Sequence, residues 1–286
     1  MANCILMVTC KDQKGILANV TNFIYHHNGN IINLEQHTDT KSKLFFMRLE
    51  WSLTKFRIQE SEIKCRLNSL FQDVGIQVFE NKLWFSEDKL RLAIFVSKYQ
   101  HCLYDLLLRN QSGELDCKIP LIVSNHSDAS NVAKHFGVNF IEIPISADTK
   151  VDAEQKQLEL LAKNKIDFIV LARYMQILSG EFVNYYPSRI INIHHSFLPA
   201  FAGAKPYTQA YSKGVKIIGA TSHFVTDQLD EGPIIEQDVA RVTHVTSPSD
   251  MVAAGRDVER LVLFRAVKFY IERRVLLNKH KTIVFN

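Results

Sequence analysis

Short apolar runs separated by polar turns organise the first 85 residues, a pattern typical of β-strands. The predicted strands are 4–10, 31–37, 43–51 and 74–79. Two other segments carry apolar residues at helical spacing, Ile16 to Ile24 and Ile63 to Phe71. Thr54 is the expected N-cap of the second helix. The resulting order βαββαβ predicts a ferredoxin-like α+β sandwich for residues 1–85.

From residue 86 onward the apolar runs become nearly continuous, which is typical of strands buried on both faces of a sheet. These runs lie at 92–96, 121–124, 140–143, 168–172 and 189–193. Helical stretches separate the earlier runs, at 101–109, 129–136 and 152–164. The alternation predicts an α/β domain over residues 86–286, with a doubly wound, mostly parallel sheet. Ligands of such sheets bind beyond the carboxyl ends of the strands, where Ser97, Arg173 and Asn192 fall.

Two further strands and a long helix complete the predicted second domain. The strands are 216–223 and 233–242. Ser249 is the expected N-cap of the helix, whose apolar residues from Val252 to Ile271 fall on or near one face. The charged residues of this helix are expected on its solvated side. They are Arg256, Asp257, Glu259 and Arg260.

Composition and charge narrow the class of protein. With 286 residues, 47% hydrophobic and 22% charged, the chain has the profile of a globular protein of two domains. A net charge of +4 is too small and too dispersed to indicate a nucleic-acid partner. The five cysteines include no CxxC pair and are typical of reduced cytoplasmic thiols. We expect a cytoplasmic protein without a membrane partner, because neither a signal peptide nor an apolar run of spanning length is present.

Candidate chemistry lies where two predicted strands end. Asn192 and His194 are two residues apart on the first of them, so their side chains share one face. An amide there can donate a hydrogen bond to an oxyanion, and an imidazole can move a proton near neutral pH. At the second junction, Asp230 precedes a Gly-Pro turn and could orient His194 or hold a water against a substrate. The alternative is structural, since a histidine pair at a strand end often only caps the core.

The order of these residues resembles the signature of a known family. Asn192-x-His194-x-Ser196-x-Leu198-Pro199, followed by Asp230-x-Gly232, is similar to the pattern of the folate-dependent formyltransferases. Their members include glycinamide ribonucleotide formyltransferase, methionyl-tRNA formyltransferase and formyltetrahydrofolate deformylase. The resemblance covers residues 90 to 286 approximately. It implies that Asn192, His194 and Asp230 are the catalytic residues.

The same resemblance implies a folate-binding segment and a set of supporting residues. The segment follows the fourth strand of the second domain, where apolar side chains would lie against the pterin ring. The expected folate-binding residues are Arg173, Met175, Ile177, Leu178, Val225 and Thr226. The expected supporting residues are His223, Ser196 and Gly203. Two alternatives stay open, because residues 175–178 could begin a core helix and His223 could be a packing residue.

The first domain resembles the ACT domain, a family of regulatory modules that bind small molecules. The resemblance rests on Asp12-x-x-Gly15 at the first strand–helix junction. A glycine there permits close approach of a ligand, and the following helix N-terminus favours a carboxylate. We therefore expect either an amino-acid effector at Asp12 and Gly15 or a module that only assembles the protein into a dimer or tetramer. The sequence does not separate these two roles.

The loop after the first strand of the second domain helps to distinguish between the reactions that members of this family catalyse. Residues 97–102 contain no glycine, whereas the glycinamide ribonucleotide branch carries a glycine-rich phosphate loop there. An ACT-like module before a formyltransferase-like domain is the arrangement of the formyltetrahydrofolate deformylases. The resemblance thus implies a hydrolase, without a cofactor, that converts 10-formyltetrahydrofolate to formate and tetrahydrofolate. Such an enzyme would feed formate to purine synthesis and balance the one-carbon folate pool.

Two alternatives to this reaction scheme remain. One is formyl transfer to an amine acceptor such as glycinamide ribonucleotide, with Tyr207 and Gln209 on the side where the acceptor would arrive. The other is a zinc site formed by His194, His195, His223 and Asp230. Adjacent strand residues point to opposite faces, so His194 and His195 are a poor chelating pair, and we expect no metal.

Overall fold

The structure, a computed structural model, describes residues 2–199 and 206–286. The chain divides into two compact units. The first comprises Met1–Lys89, Arg273–Asn278 and Ile283–Asn286, and the second comprises Leu90–Glu272 and Lys279–Thr282. The sequence placed every residue from 86 to 286 in the second domain, whereas residues 86–89 and the two C-terminal segments belong to the first unit. Apolar packing is the reason, because Leu276 and Phe285 are buried with Met7 and Phe46.

The first unit is built on an antiparallel sheet with the strand order β2-β3-β1-β4. Its elements are β1 (Asn3–Lys11), α1 (Ile16–His26), β2 (Asn30–Asp39), β3 (Leu44–Ser52), α2 (Glu60–Asp73) and β4 (Val78–Phe85). Alternate residues of β1 and β3, such as Leu6 and Trp51, share a core with Ile24 of α1 and Leu67 of α2. This arrangement confirms the predicted ferredoxin-like sandwich.

Two element boundaries in the first unit differ from those expected. The last strand runs from Val78 to Phe85 rather than over 74–79. Residues 74–77 instead close helix α2, because Gly75 has a φ of 67° and the amide of Ile76 donates to Phe71 O at 2.8 Å. Helix α2 starts after Gln59, and Thr54 lies in a turn well before it.

The second unit contains a sheet with the strand order β11-β10-β9-β8-β5-β6-β7. Strands β5 to β9 pair in parallel, and β10 and β11 are antiparallel additions at one edge. The strands are β5 (Arg91–Val96), β6 (Lys118–Ser124), β7 (Asn139–Glu142), β8 (Phe168–Leu171), β9 (Ile190–His194), β10 (Ile217–Phe224) and β11 (Ile234–Arg241). The predicted mostly parallel sheet is confirmed.

Helices connect or cover these strands. They are α3 (His101–Gln111), α4 (Ser130–Phe136), α5 (Lys150–Lys163), α6 (Gly180–Tyr185), α7 (Pro206–Ser212) and α8 (Pro248–Ile271). Ser247, rather than Ser249, is the N-cap of α8, because its side chain and that of Asp250 form a capping box with Pro248 at the first helical position.

A short hairpin that the sequence analysis did not predict follows helix α8. It consists of β12 (Val275–Asn278) and β13 (Lys281–Val284). Among the described residues, helices long and apolar enough to cross a membrane are absent.

Candidate active site

Strand β9 carries two of the predicted catalytic side chains, and strand β10 supplies their neighbour. The antiparallel register sets His223 directly opposite Asn192. The two side chains are in contact, with Asn192 Nδ2 at 3.2 Å from His223 Nε2. His223 Nδ1 lies 2.9 Å from the carbonyl oxygen of Phe224, which can only accept. The proton therefore sits on Nδ1, Nε2 accepts from the Asn192 amide, and His223 fixes the orientation of that amide.

Asp230 reaches the same place from the loop after β10. Its Oδ2 is 3.3 Å from His194 Nδ1, and its Oδ1 is 3.7 Å from His223 Nε2. The residue adopts a left-handed backbone with a φ of 58°, which asparagine and aspartate tolerate better than most side chains. The hydrogen bond from His194 holds the pKa of Asp230 well below its usual range. The carboxylate therefore stays ionised, and it selects the tautomer of His194 that carries its proton on Nδ1.

His194 consequently presents its other nitrogen as a proton acceptor. The side chain is buried, with 6% of the residue exposed, and it lines a pocket. Its Nε2 atom is buried and has no hydrogen-bond partner among the residues that the structure describes. A buried, unpaired lone pair of this kind costs free energy unless a ligand or water meets it. The arrangement is that of a general base oriented by a carboxylate.

The pocket has a volume of about 610 Å³, within the range of small-molecule sites. Asn192, His194, His223 and Asp230 lie on its wall. So do all the residues expected to bind folate, which are Arg173, Met175, Ile177, Leu178, Val225 and Thr226.

The loop after β8 forms the apolar side of this pocket. Met175 and Ile177 are 55% and 60% exposed, so they do not begin a core helix. The loop is held by the amide of Met175, which donates to Ser97 Oγ at 2.9 Å. It ends at Ser179, the N-cap of α6. The loop thus holds these apolar side chains in place while leaving them exposed to the pocket, where a flat ring can lie against them.

Ser196 is buried in the turn that follows β9. Its carbonyl oxygen accepts from Thr221 Oγ1 at 2.9 Å, and the amide of Leu198 donates to the same hydroxyl at 3.0 Å. These contacts tie the turn to β10 and so support the end of β9. Gly203, the other supporting residue expected besides His223, lies outside the described residues.

Comparison with known proteins assigns the family. The model of the formyl transferase family matches residues 90–267, and that of the ACT domain matches residues 5–72. A protein of Synechocystis sp. named formyltetrahydrofolate deformylase is 49% identical over 98% of this chain and 97% of its own length. The chain belongs to the formyltetrahydrofolate deformylase family.

Further members of the deformylase family agree in sequence and in fold. The formyltetrahydrofolate deformylase of Bacillus subtilis is 45% identical over 98% of this chain and 93% of its own length. The crystal structure of a formyltetrahydrofolate deformylase from Pseudomonas syringae pv. tomato matches with a TM-score of 0.95 at 41% identity, covering 100% of this chain and 95% of that one. The predicted family and the predicted two-part fold are confirmed.

One residue of this deformylase pocket was placed wrongly by the sequence analysis. Glu259, expected on the solvated side of α8, is only 1% exposed and lines the pocket. Tyr207 Oη donates to its Oε1 at 2.7 Å, and His101 Nε2 donates to its Oε2 at 2.8 Å. Arg173 Nε lies 3.6 Å from Oε2. Helical periodicity could have predicted this burial, because Glu259 falls in the buried series of Met251, Gly255, Glu259, Val262 and Ala266.

The surroundings of Glu259, Tyr207 and His195 determine whether each of these side chains is charged. Burial opposes ionisation of Glu259, but the hydrogen bond from His101 and the charge of Arg173 outweigh it and keep its pKa below the ordinary value. Burial beside this carboxylate raises the pKa of Tyr207. Burial lowers the pKa of the neighbouring His195 to about 4, so that imidazole is neutral.

Three neighbouring side chains in and beside this part of the pocket are candidate metal ligands. The ligand atoms of His101, Cys102 and Glu259 lie within 4.8 Å of one another. However, His101 already donates to Glu259, and burial raises the pKa of Cys102 well above its usual value. A protonated thiol beside a carboxylate that already holds a histidine, a tyrosine and a guanidinium is a poor ligand set.

Proposed function

We propose that this chain hydrolyses 10-formyltetrahydrofolate to formate and tetrahydrofolate, and that Asn192, His194 and Asp230 carry the reaction. The observation that supports this assignment is their convergence from two segments on one pocket, with Asp230 Oδ2 at 3.3 Å from His194 Nδ1. Membership of the deformylase family supports the substrate and the use of water.

The folate binds with its ring against the loop after β8. Met175, Ile177 and Leu178 offer the apolar surface, while Val225 and Thr226 line the same pocket from the loop after β10. Burying one such side chain stabilises binding by about 1.5–3 kcal/mol. This position delivers the formyl carbon to the end of β9, where Asn192 and His194 lie.

The reaction begins when a water attacks the formyl carbon. His194 Nε2 takes a proton from this water, and the carboxylate of Asp230 stabilises the imidazolium that results. The amide of Asn192, oriented by His223, donates to the oxyanion of the tetrahedral intermediate. The imidazolium then gives its proton to N10 as the bond between N10 and the formyl carbon breaks. The products are formate and tetrahydrofolate.

The direct test is incubation of the protein with 10-formyltetrahydrofolate in buffer that contains no amine acceptor. Formate and tetrahydrofolate are expected in equal amounts. An absolute requirement for an added amine would show a transferase instead. Asn192→Ala is expected to lower kcat on the order of 10²–10³ while folate still binds, because one oxyanion donor is lost. Turnover of that variant at the wild-type rate would refute the assignment.

The proposed chemistry draws on water and protein side chains alone, so we propose that no metal or cofactor takes part. Activity is therefore expected to survive exhaustive dialysis against a chelator. Loss of turnover that zinc restores would contradict this proposal.

For residues 1–85 we propose a regulatory or assembly role. Gly15, with a φ of 89°, directly precedes α1, whose first amides receive no side-chain cap from the described residues. Such a helix start, with Asp12 beside it, supports an amino-acid effector. The competing role is assembly into a dimer or tetramer. A thermal-shift and activity screen across amino acids, paired with light scattering, separates the two.

A further inference from the structure

A buried group of four side chains forms the part of the pocket that the proposed mechanism does not use. It consists of Glu259 and the three residues that contact it, Tyr207, His101 and Arg173, and we call it the Glu259 cluster. Each member lines the same pocket as the catalytic residues. The members come from separate elements, namely α8, α7, the start of α3 and the loop after β8.

The Glu259 cluster lies close to the catalytic histidine. The ring of His195 connects them, since its centroid is 5.3 Å from that of His194 and 6.2 Å from that of Tyr207. A nucleophile that approaches His194 from this side therefore meets the Tyr207 ring. The cluster forms the wall of the pocket on this side of His194.

The hydrogen bonds of Glu259 determine which groups this wall offers. Tyr207 engages Oε1, and His101 and Arg173 engage Oε2, so both carboxylate oxygens have a partner inside the cluster. Arg173 is 8% exposed; its Nε makes the 3.6 Å ion pair with Glu259 but no hydrogen bond, and its Nη1 has no hydrogen-bond partner within the described ranges. The wall thus presents donors and positive charge. Arg256 adds a second guanidinium, which lies 5.9 Å from the ring of Tyr99.

We propose that the Glu259 cluster determines the acceptor of the formyl group by admitting water and excluding amines. This inference rests on the hydrolysis proposed above. Water can accept a hydrogen bond from Arg173 and fits beside the Tyr207 ring. A primary amine is larger, and at neutral pH it is mostly a cation, which the guanidinium groups of Arg173 and Arg256 on the pocket wall repel.

Tyr207 can lie against helix α8 because the residue of that helix that faces its ring, Gly255, has no side chain. A Cβ atom at Gly255 would lie 2.1 Å from Tyr207 Oη and 2.3 Å from its Cζ, which no real contact allows. The missing side chain lets the ring lie directly on the helix, one turn before Glu259. Gly255 is therefore a positioning residue for the cluster.

Removal of the Tyr207 ring from the Glu259 cluster is expected to permit a second reaction, in which an amine replaces water as the nucleophile. The nitrogen of a neutral amine would attack the formyl carbon, and the bond from that carbon to N10 would break. The amine proton would pass through His194 to N10, so the products would be a formamide and tetrahydrofolate. The balance needs no further reactant.

The experiment measures how the formyl group is divided between water and glycinamide, a small primary amine. Protein and 10-formyltetrahydrofolate are incubated with increasing glycinamide, and formate and formylglycinamide are quantified by NMR. Wild type is expected to give formate with only a small, quantifiable fraction of formylglycinamide. Tyr207→Ala is expected to raise the ratio of formylglycinamide to formate at least about tenfold, in proportion to glycinamide, since pockets discriminate by such factors. Tyr211→Ala, on the same helix at a residue that is 48% exposed, is the matched control and should behave as wild type.

The possible outcomes separate the two proposals. A folded Tyr207→Ala variant with the wild-type product ratio, or with neither product, overturns the role of the cluster while hydrolysis by wild type stands. Wild type that releases no formate without glycinamide overturns the proposed function itself. If Tyr207→Ala does not fold, Tyr207→Leu keeps apolar contact with Gly255 and should shift the ratio in the same direction, and an unchanged ratio there is equally decisive.

Discussion

Replacement of Asp230 by asparagine isolates the electrostatic part of the proposed mechanism. Asn is nearly isosteric and tolerates the left-handed backbone at this position, so the change removes a charge rather than a shape. At the observed 3.3 Å, the attraction between the carboxylate and an imidazolium at His194 is about 5 kcal/mol for an effective dielectric constant of about 20. This attraction arises only when His194 gains a proton, which happens in the transition state.

The distance between nearest atoms overstates this attraction, because both charges are delocalised and the side chain of Asp230 is 21% exposed. About half to three quarters of that free energy is a realistic loss, and each 1.36 kcal/mol is a factor of about ten in rate. We therefore expect Asp230→Asn to lower kcat by about 10²–10³, with little change in folate affinity.

The assay follows formate release at saturating 10-formyltetrahydrofolate, with folate affinity measured separately by titration. Glu231→Gln is the matched control, because it removes the same charge from the next residue, whose side chain is exposed. It should retain wild-type kcat. If Asp230→Asn also retains most of the wild-type kcat, the carboxylate does not stabilise an imidazolium, and the assigned role of His194 fails with it.

Three further predictions test the pocket, the support of Asn192 and the charge of Asp230. Ile177→Ala is expected to raise KM about tenfold with kcat nearly unchanged, since it removes apolar contact with the folate; a loss confined to kcat would contradict this. His223→Ala is expected to lower kcat on the order of 10- to 100-fold without raising KM, because Asn192 loses its orientation; thermal melting controls for the fold, and an unchanged kcat argues against that support. The folded pKa of Asp230 is lowered, so its contribution to stability is present above the unfolded value of about 4 and is lost as pH falls through the folded value. The unfolding free energy of wild type minus that of Asp230→Asn should shrink as the pH falls from about 4 toward the folded pKa of Asp230, and urea melts that show it growing over that range would refute this.

Much of the fold followed from local pattern, because burial on one or both faces imposes a period on the sequence. The continuous apolar runs of the second unit and the alternating ones of the first predicted both sheets. The spacing of Asn192 and His194 predicted a shared face for the same reason, since side chains of a strand alternate. These features depend on neighbours along the chain, which a sequence displays directly.

Other features depended on segments that are distant in the chain. No local sequence pattern predicts that Asp230 Oδ2 lies 3.3 Å from His194 Nδ1, or that antiparallel pairing places His223 opposite Asn192. Leu276 and Phe285, which follow α8, belong to the first unit, where they pack with Met7 and Phe46 more than 200 residues earlier in the chain.

Glu259 shows the difference most clearly. A carboxylate on a helix is normally solvated, and burying it costs several kcal/mol unless partners satisfy it. Here the partners are Tyr207, His101 and Arg173, which reach it from three other elements. Local patterns and motifs were enough to predict the sheets, the family and the face that Asn192 and His194 share. The periodicity of α8 marked position 259 as buried, but only the folded chain brings together the groups that make the burial of a carboxylate there possible.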